Sequence, residues 1–162
     1  MLYFMGIDPG LNKTGVGIIG WDKGKLSYQG HALVRSDVRA PFTERLSQII
    51  SGLQAQLSRF SYHSAAVEDV FHSVNARSAL LLGQTRGAIL ATLLNYGVPI
   101  CEYTALQIKQ TVTGYGRAEK EQVAKMVALQ LNIVIKKQLP LDVTDALAGG
   151  ICLAINQTGK VR

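Results

Sequence analysis

Four carboxylates in this sequence stand where acids do little for a fold. Asp8 closes an apolar run, Glu68 lies inside another, and Asp142 and Asp145 open a third, three residues apart. The stretch FMGIDPGLNKTGVGIIG, residues 4–20, carries the first of them. Its apolar run ends at Asp8, Pro9 and Gly10 turn the chain, and a second apolar run starts at Gly15, which reads as a hairpin with an acid at its rim. An isolated ionised carboxylate in that position costs on the order of several kcal/mol to desolvate, so it needs water, a cation or a partner. Each acid also has a plainer reading. Asp-Pro-Gly is ordinary turn chemistry, Glu68 suits a solvated strand end, and Asp142 and Asp145 suit the first turn of a helix, where acids complement the dipole. If the strands ending in Asp8 and Glu68 are neighbours, however, all four meet at one rim and repel unless compensated. Hard divalent cations, magnesium or manganese, take oxygen ligands, and a pair about 3.5–4 Å apart is a recurring device for phosphodiester cleavage. Asp69 should point away from its neighbour Glu68 by strand alternation.

The elements that must position these acids are legible in the apolar patterning. Residues 2–7, 15–21 and 26–34 read as three antiparallel strands, the last two joined by Asp22-Lys23-Gly24-Lys25. Pro41 stands where a helix begins, and Leu46, Ile49, Ile50, Leu53, Leu57 and Phe60 recur at helical spacing; residues 61–64 end that helix. Residues 65–71 form a short buried strand interrupted by its carboxylates, and 76–96 a long helix with Gly83, Gly87 and Ala91 along one stripe. That stripe suits close approach by another backbone, from a neighbouring helix or a second subunit. A fifth strand at 98–103, helices near 105–112 and 118–131, a basic connection at 132–141 and a last helix at 142–156 complete a mixed five-stranded sheet with helices on its faces.

With 162 residues, 48% of them hydrophobic, the chain suffices for one sizeable core and needs no second domain. Its net charge of +6 favours a polyanionic partner, without separating nucleic acid from a membrane surface or mere solubility. Cys101 and Cys152 lie in apolar runs with no metal spacing, as buried free thiols in a reducing cytoplasm would. No segment resembles a signal peptide, and the longest uncharged stretch, 87–101, is too short to span a bilayer. His31, His63 and His72 share no ligand spacing.

Five ordered segments then match a family: GIDPG at 6–10, VEDVF at 67–71, NARSALLLGQTRG at 75–87, Tyr103 with QIKQTVTGYGRAEKEQV at 107–123, and DVTDALA at 142–148. Together they closely resemble the RuvC family of Holliday-junction resolvases, members of the ribonuclease H-like superfamily, over nearly the whole chain. The resemblance implies an α/β, ribonuclease H-like nuclease domain over 1–158, followed by a short basic tail at 159–162. It implies a cytoplasmic, magnesium-dependent homodimer that nicks two strands of a four-way DNA junction symmetrically, leaving 5′-phosphate and 3′-hydroxyl ends. A branch-migration motor complex is a further expected partner, and no membrane is involved. By the same resemblance Asp8, Glu68, Asp142 and Asp145 are the ligands of two Mg2+ ions, with Mn2+ as the alternative, and Lys120 adds positive charge beside them. Lys109 is a phosphate contact, and Phe71 an aromatic that acts on junction bases. Arg77, Arg86, Lys136 and Lys137, with Lys13, are candidates for DNA backbone contacts. The sequence departs from the familiar pattern at Asp69, which adds a charge beside the site, at Arg77, and at Gly149-Gly150, expected to loosen or kink the last helix.

Three other readings share some of these features. An actin-like or sugar-kinase ATPase opens with a comparable acidic glycine hairpin, but needs two lobes. A non-catalytic DNA-binding module would use the acids only as caps. An RNA/DNA hybrid nuclease would use the same carboxylate set on another substrate.

Overall fold

A computed structural model describes residues 1–69, 75–133 and 139–159. Strands β1 (Leu2–Asp8), β2 (Lys13–Asp22) and β3 (Lys25–Arg35) form an antiparallel meander. Helix α1 (Phe42–Leu57) leads to β4 (Tyr62–Asp69), α2 (Ala76–Asn95) to β5 (Ile100–Thr104), and three helices follow: α3 (Ala105–Thr113), α4 (Lys120–Leu131) and α5 (Leu141–Thr158). The sheet order is β3-β2-β1-β4-β5, with β4 parallel to both β1 and β5. This is the mixed five-stranded α/β sheet read from the sequence. The β2–β3 turn shows why its residues were informative: Lys23 and Gly24 both take positive φ, 47° and 84°, the backbone a two-residue hairpin loop requires.

Two cores lie on opposite faces of the sheet. Met5, Ile7, Val16, Ile18, Ala65 and Val67 pack under α1 and α2, through Ile49, Leu53, Ile89 and Leu93. Phe4, Ile19 and Ala66 face α5, which α3 and α4 cover in turn. Among the described residues no helix is long and apolar enough to cross a membrane. Cys152 is buried and Cys101 half-buried, both free thiols.

Three strand glycines explain how α5 reaches the sheet. Gly6 and Gly17 are cross-strand partners, and Gly15 stands opposite Asp8. A Cβ on Gly6 would overlap the Ala146 carbonyl oxygen, one on Gly15 the Asp142 carbonyl oxygen, and one on Gly17 would fall 2.7 Å from the Leu147 Cα. The helix backbone therefore rests directly on the sheet backbone. Gly150 completes the contact from the other side, since its Cβ would fall 2.8 Å from Ile19 Cγ1. The glycine pair does not break the helix: α5 runs unbroken from Leu141 to Thr158.

Some boundaries differ from expectation, each for a local reason. The segment read as ending the first helix already belongs to β4, because Tyr62 pairs with Tyr3 and Ser64 with Phe4. Ser64 is tolerated in a buried strand because its hydroxyl donates to Gln157 Oε1 at 2.7 Å. Helix α4 starts at Lys120 and not at residue 118, since Gln122 reaches back to accept the Glu119 N–H at 2.9 Å.

Gly6→Ala is expected to cost about 3 kcal/mol or more by overpacking. Gly149→Ala, whose new Cβ would meet nothing nearer than 3.9 Å, should stabilise the helix by about 0.5–1 kcal/mol. Urea midpoints of the two variants check this, and similar midpoints would remove the close-packed helix–sheet contact.

Candidate active site

Strand alternation sets the site. Gly6 faces α5, so Asp8, two residues on, faces the same side. Ala66 also lies beneath α5, 3.9 Å from where a Gly149 Cβ would stand, so Glu68 follows it onto that face. Because β1 and β4 are parallel, with Ile7 beside Val67, Asp8 and Glu68 end adjacent strands at the same edge. The glycine contact holds the first turns of α5 against that edge, bringing Asp142 and Asp145 to it. Asp142 also stands in the first turn of α5, where an acid complements the helix dipole, while Pro140 precedes the helix and no side chain makes a cap hydrogen bond.

The four acids share one electrostatic environment. Burial pushes the Asp8 carboxyl up to about 8, and the charges of Glu68, Asp145 and Asp142 push the same way, opposed by Lys120. Glu68 is raised as well, by burial and then Asp145, with Lys120 and Lys109 acting against the rise. Lys120 opens α4 and donates from Nζ to Asp145 Oδ2 at 2.9 Å, a bond that raises its own pKa. Lys109 and Lys120 line a hollow of about 120 Å3 together with Glu68 and Asp145. Among the described residues, no three acid, histidine or cysteine side chains stand grouped so as to hold a metal ion in the arrangement seen. The rim is an open row of carboxyl groups with one lysine where a cation would otherwise compensate. Its donors are all oxygen, and burial first and the neighbouring acids next push the Asp8 carboxyl up, so the chemistry of the set fits a hard divalent cation.

The remaining expected residues divide. Arg77 is exposed on the first turn of α2. Arg86 was expected on DNA, but its guanidinium turns inward: Nε donates to the Glu68 carbonyl oxygen at 3.1 Å, and Nη2 pairs with Glu102 and lies 3.6 Å from Asp69 Oδ1. Asp69 does point away from Glu68, and Arg86 compensates the charge it adds. Phe71, Lys136 and Lys137 lie outside the described residues.

Sequence reasoning missed the brace on the loop after Asp8. Arg45 on α1 donates from Nη2 to Asn12 Oδ1 and from Nε to Ser36 Oγ at 3.1 Å, while Thr14 Oγ1 donates to the Gly10 carbonyl at 2.8 Å. The loop so held walls a groove of about 470 Å3 that includes Lys13, Arg45, Ser78 and Asp142. No local signal marks Arg45, because its partners are distant in sequence.

Residues 4–153 match the family described as crossover junction endodeoxyribonuclease RuvC. The chain belongs to the RuvC family. A RuvC from Citrifermentans bemidjiense is 44% identical over 153 residues, spanning 94% of this chain and 92% of the relative. Among solved structures, Thermus thermophilus RuvC is 31% identical with a TM-score of 0.86, covering 99% of both chains. T. thermophilus RuvC in complex with a Holliday junction substrate is 30% identical with a TM-score of 0.89, covering 97% of this chain and 95% of that one. The mixed sheet and five helices described above are thus the ribonuclease H-like fold of the RuvC structures.

The raised Asp8 carboxyl makes metal-free stability depend on pH. The folded protein keeps a proton up to about pH 8 that the unfolded chain releases near 3.8, so this contribution is full below about pH 4 and lost as pH rises through 8. In chelator, Tm should fall by several degrees between about pH 5 and about pH 8, more steeply than in Asp8→Asn, whose Tm should exceed the parent's at the upper end. Thermal melts check this; a metal-free parent that gains stability over that interval contradicts it.

Proposed function

We propose that this chain resolves four-way DNA junctions by paired, symmetric nicks, as a metal-dependent endonuclease of recombination and repair. The observation that carries the reading is the convergence of Asp8, Glu68, Asp142 and Asp145 on one sheet edge, in a chain of the RuvC family. These four carboxylates hold the divalent cation, Mg2+ with two ions per site, and Mn2+ as the alternative. When bound, the cation activates water and neutralises charge on the phosphate. The chain's own residues do the rest. Asp8 and Asp145 would be among the oxygen donors that hold the cation, and Lys120, whose ammonium now donates to Asp145, is the positive charge beside them that can face phosphate oxygens. Lys109, on the wall of the same hollow, positions the backbone. Water oxygen attacks phosphorus in line as the P–O3′ bond breaks, giving a 3′-hydroxyl and a 5′-phosphate.

A second copy of the chain fits the outer face of α2. Leu80 and Leu94 are 62% and 65% exposed there, and nothing among the described residues comes within 4 Å of a Cβ at Gly83 or Gly87. The stripe is therefore not used by a neighbouring helix of the same chain, which favours a homodimer packed through it. A twofold pair presents two rims to the two equivalent strands of a junction. In this reading residues 1–158 act as one nuclease domain with a basic tail, and a motor that moves the crossover is a further partner.

Asp8→Asn should lower magnesium-dependent junction cleavage at least about 100-fold while junction binding survives, since a ligand is lost and the basic surface is not. End-labelled four-way junction, matched duplex and RNA/DNA hybrid, each with and without magnesium, check the reading. Cutting of the hybrid in place of the junction would assign the same site another substrate, and undiminished cutting by the variant would remove Asp8 from the ligands. Leu80→Asp combined with Leu94→Asp should raise the dimer Kd at least about tenfold in sedimentation; an unchanged dimer places the interface elsewhere.

A further inference from the structure

The connection between α3 and α4 is held rigidly and carries an aromatic ring into solvent. Gly114 ends α3 in the left-handed conformation, with φ of 79°, and polar groups of α3 fix the residues that follow. Tyr115 N–H donates to Thr113 Oγ1 at 3.1 Å, Gly116 N–H to Gln110 Oε1 at 3.0 Å, and Gln110 Nε2 to the Gly114 carbonyl at 2.8 Å. Ala118 N–H closes the turn on the Tyr115 carbonyl at 3.1 Å. Gly116 lies against Leu106, whose Cγ would be 3.1 Å from an added Cβ. Despite this ordered backbone, the Tyr115 side chain is unused. It is 59% exposed, and among the described residues its hydroxyl makes no hydrogen bond and its ring no ring contact.

Its place in the fold gives the ring a partner. The loop joins Lys109 to Lys120, the two lysines that share the hollow with Glu68 and Asp145. Exposed Arg117 follows Tyr115 in the same loop. In the nuclease reading, a strand with its phosphate between those lysines would have the loop that joins them within reach of its flanking nucleotides. In a continuous duplex these bases are stacked on one another, but at a four-way crossover the stack is interrupted and a base face becomes available. A ring whose backbone is already fixed loses little freedom on meeting it.

We propose that Tyr115 is a base-stacking platform that discriminates junction from duplex, its ring packing on a nucleobase next to the strand held at the carboxylate rim. The proposal rests on the nuclease reading of that rim and adds a substrate contact to it. Stacking uses the ring face and not the hydroxyl, so Phe should replace Tyr and Ala should not.

The test uses the full-length protein and four-way junctions with 2-aminopurine at successive positions around the crossover, bound in chelator, with matched duplex as competitor. Tyr115→Ala is expected to weaken junction binding about 5- to 100-fold and duplex binding less than about twofold. Fluorescence at one aminopurine position should be quenched by the parent and by Tyr115→Phe, and not by Tyr115→Ala. Equal losses on junction and duplex, quenching that survives in the Ala variant, or a Phe variant that behaves like Ala would each overturn the inference. A parent that binds junctions but cuts none with magnesium overturns the proposed function, while the quenching readout, which needs binding alone, still decides the role of Tyr115. A parent that binds no junction overturns both. Thermal melts of the variants guard against a folding defect.

Discussion

The architecture depends on one backbone-to-backbone contact. Helix α5 can lie against the sheet only because Gly6, Gly15 and Gly17 leave the room that side chains would fill. Glycine in a strand forfeits side-chain packing and conformational entropy, a local cost that the buried helix offsets. Its residues from Val143 to Ala154, Asp145 excepted, are buried on the side where Phe4, Ile19 and Ala66 wait. The same contact serves the chemistry. Gly15 is the cross-strand partner of Asp8, so the space beside that carboxylate is taken by the Asp142 backbone and not by a side chain.

What the helix delivers is electrostatically unfavourable by itself. Desolvation and three neighbouring acids push the Asp8 carboxyl up to about 8, and among the described residues Lys120 opposes them. The bond from Lys120 to Asp145 is well suited to exchange, because the lysine side chain is 55% exposed and can swing to another anion. The scaffold around the rim is stiffer. Arg45 and Thr14 hold the loop after Asp8, and Arg86 holds the backbone at Glu68 from behind. A rigid frame around under-compensated acids is an arrangement that binding of cations completes.

Much of this was legible because it rests on local rules. The Lys23-Gly24 turn and the opposite facing of Glu68 and Asp69 follow from backbone geometry over a few residues. What local rules could not give was set by distant partners. The start of β4 depends on pairing with Tyr3, and Ser64 in that strand on Gln157. The Gly149-Gly150 pair reads as a weakness until Ile19 and Gly6 are placed beneath it. Arg86 reads as one more basic residue until Glu102, Asp69 and the Glu68 carbonyl surround it. Tyr115 was within reach, since an aromatic between two glycines in a loop has nothing local to pack on.

The half-buried position of Arg86 has a consequence for how the sequence can vary. Its guanidinium answers two acids that come from different strands, Asp69 at the end of β4 and Glu102 in β5. Losing Arg86 alone would take the charge partner from half-buried Asp69 and the donor from the Glu68 carbonyl, whereas losing Asp69 alone would leave the arginine paired with exposed Glu102. Tolerance at these positions is therefore one-directional. A neutral residue at 69 leaves Arg86 its Glu102 partner, whereas a neutral residue at 86 removes the clamp that joins the end of β4 to β5 behind Glu68.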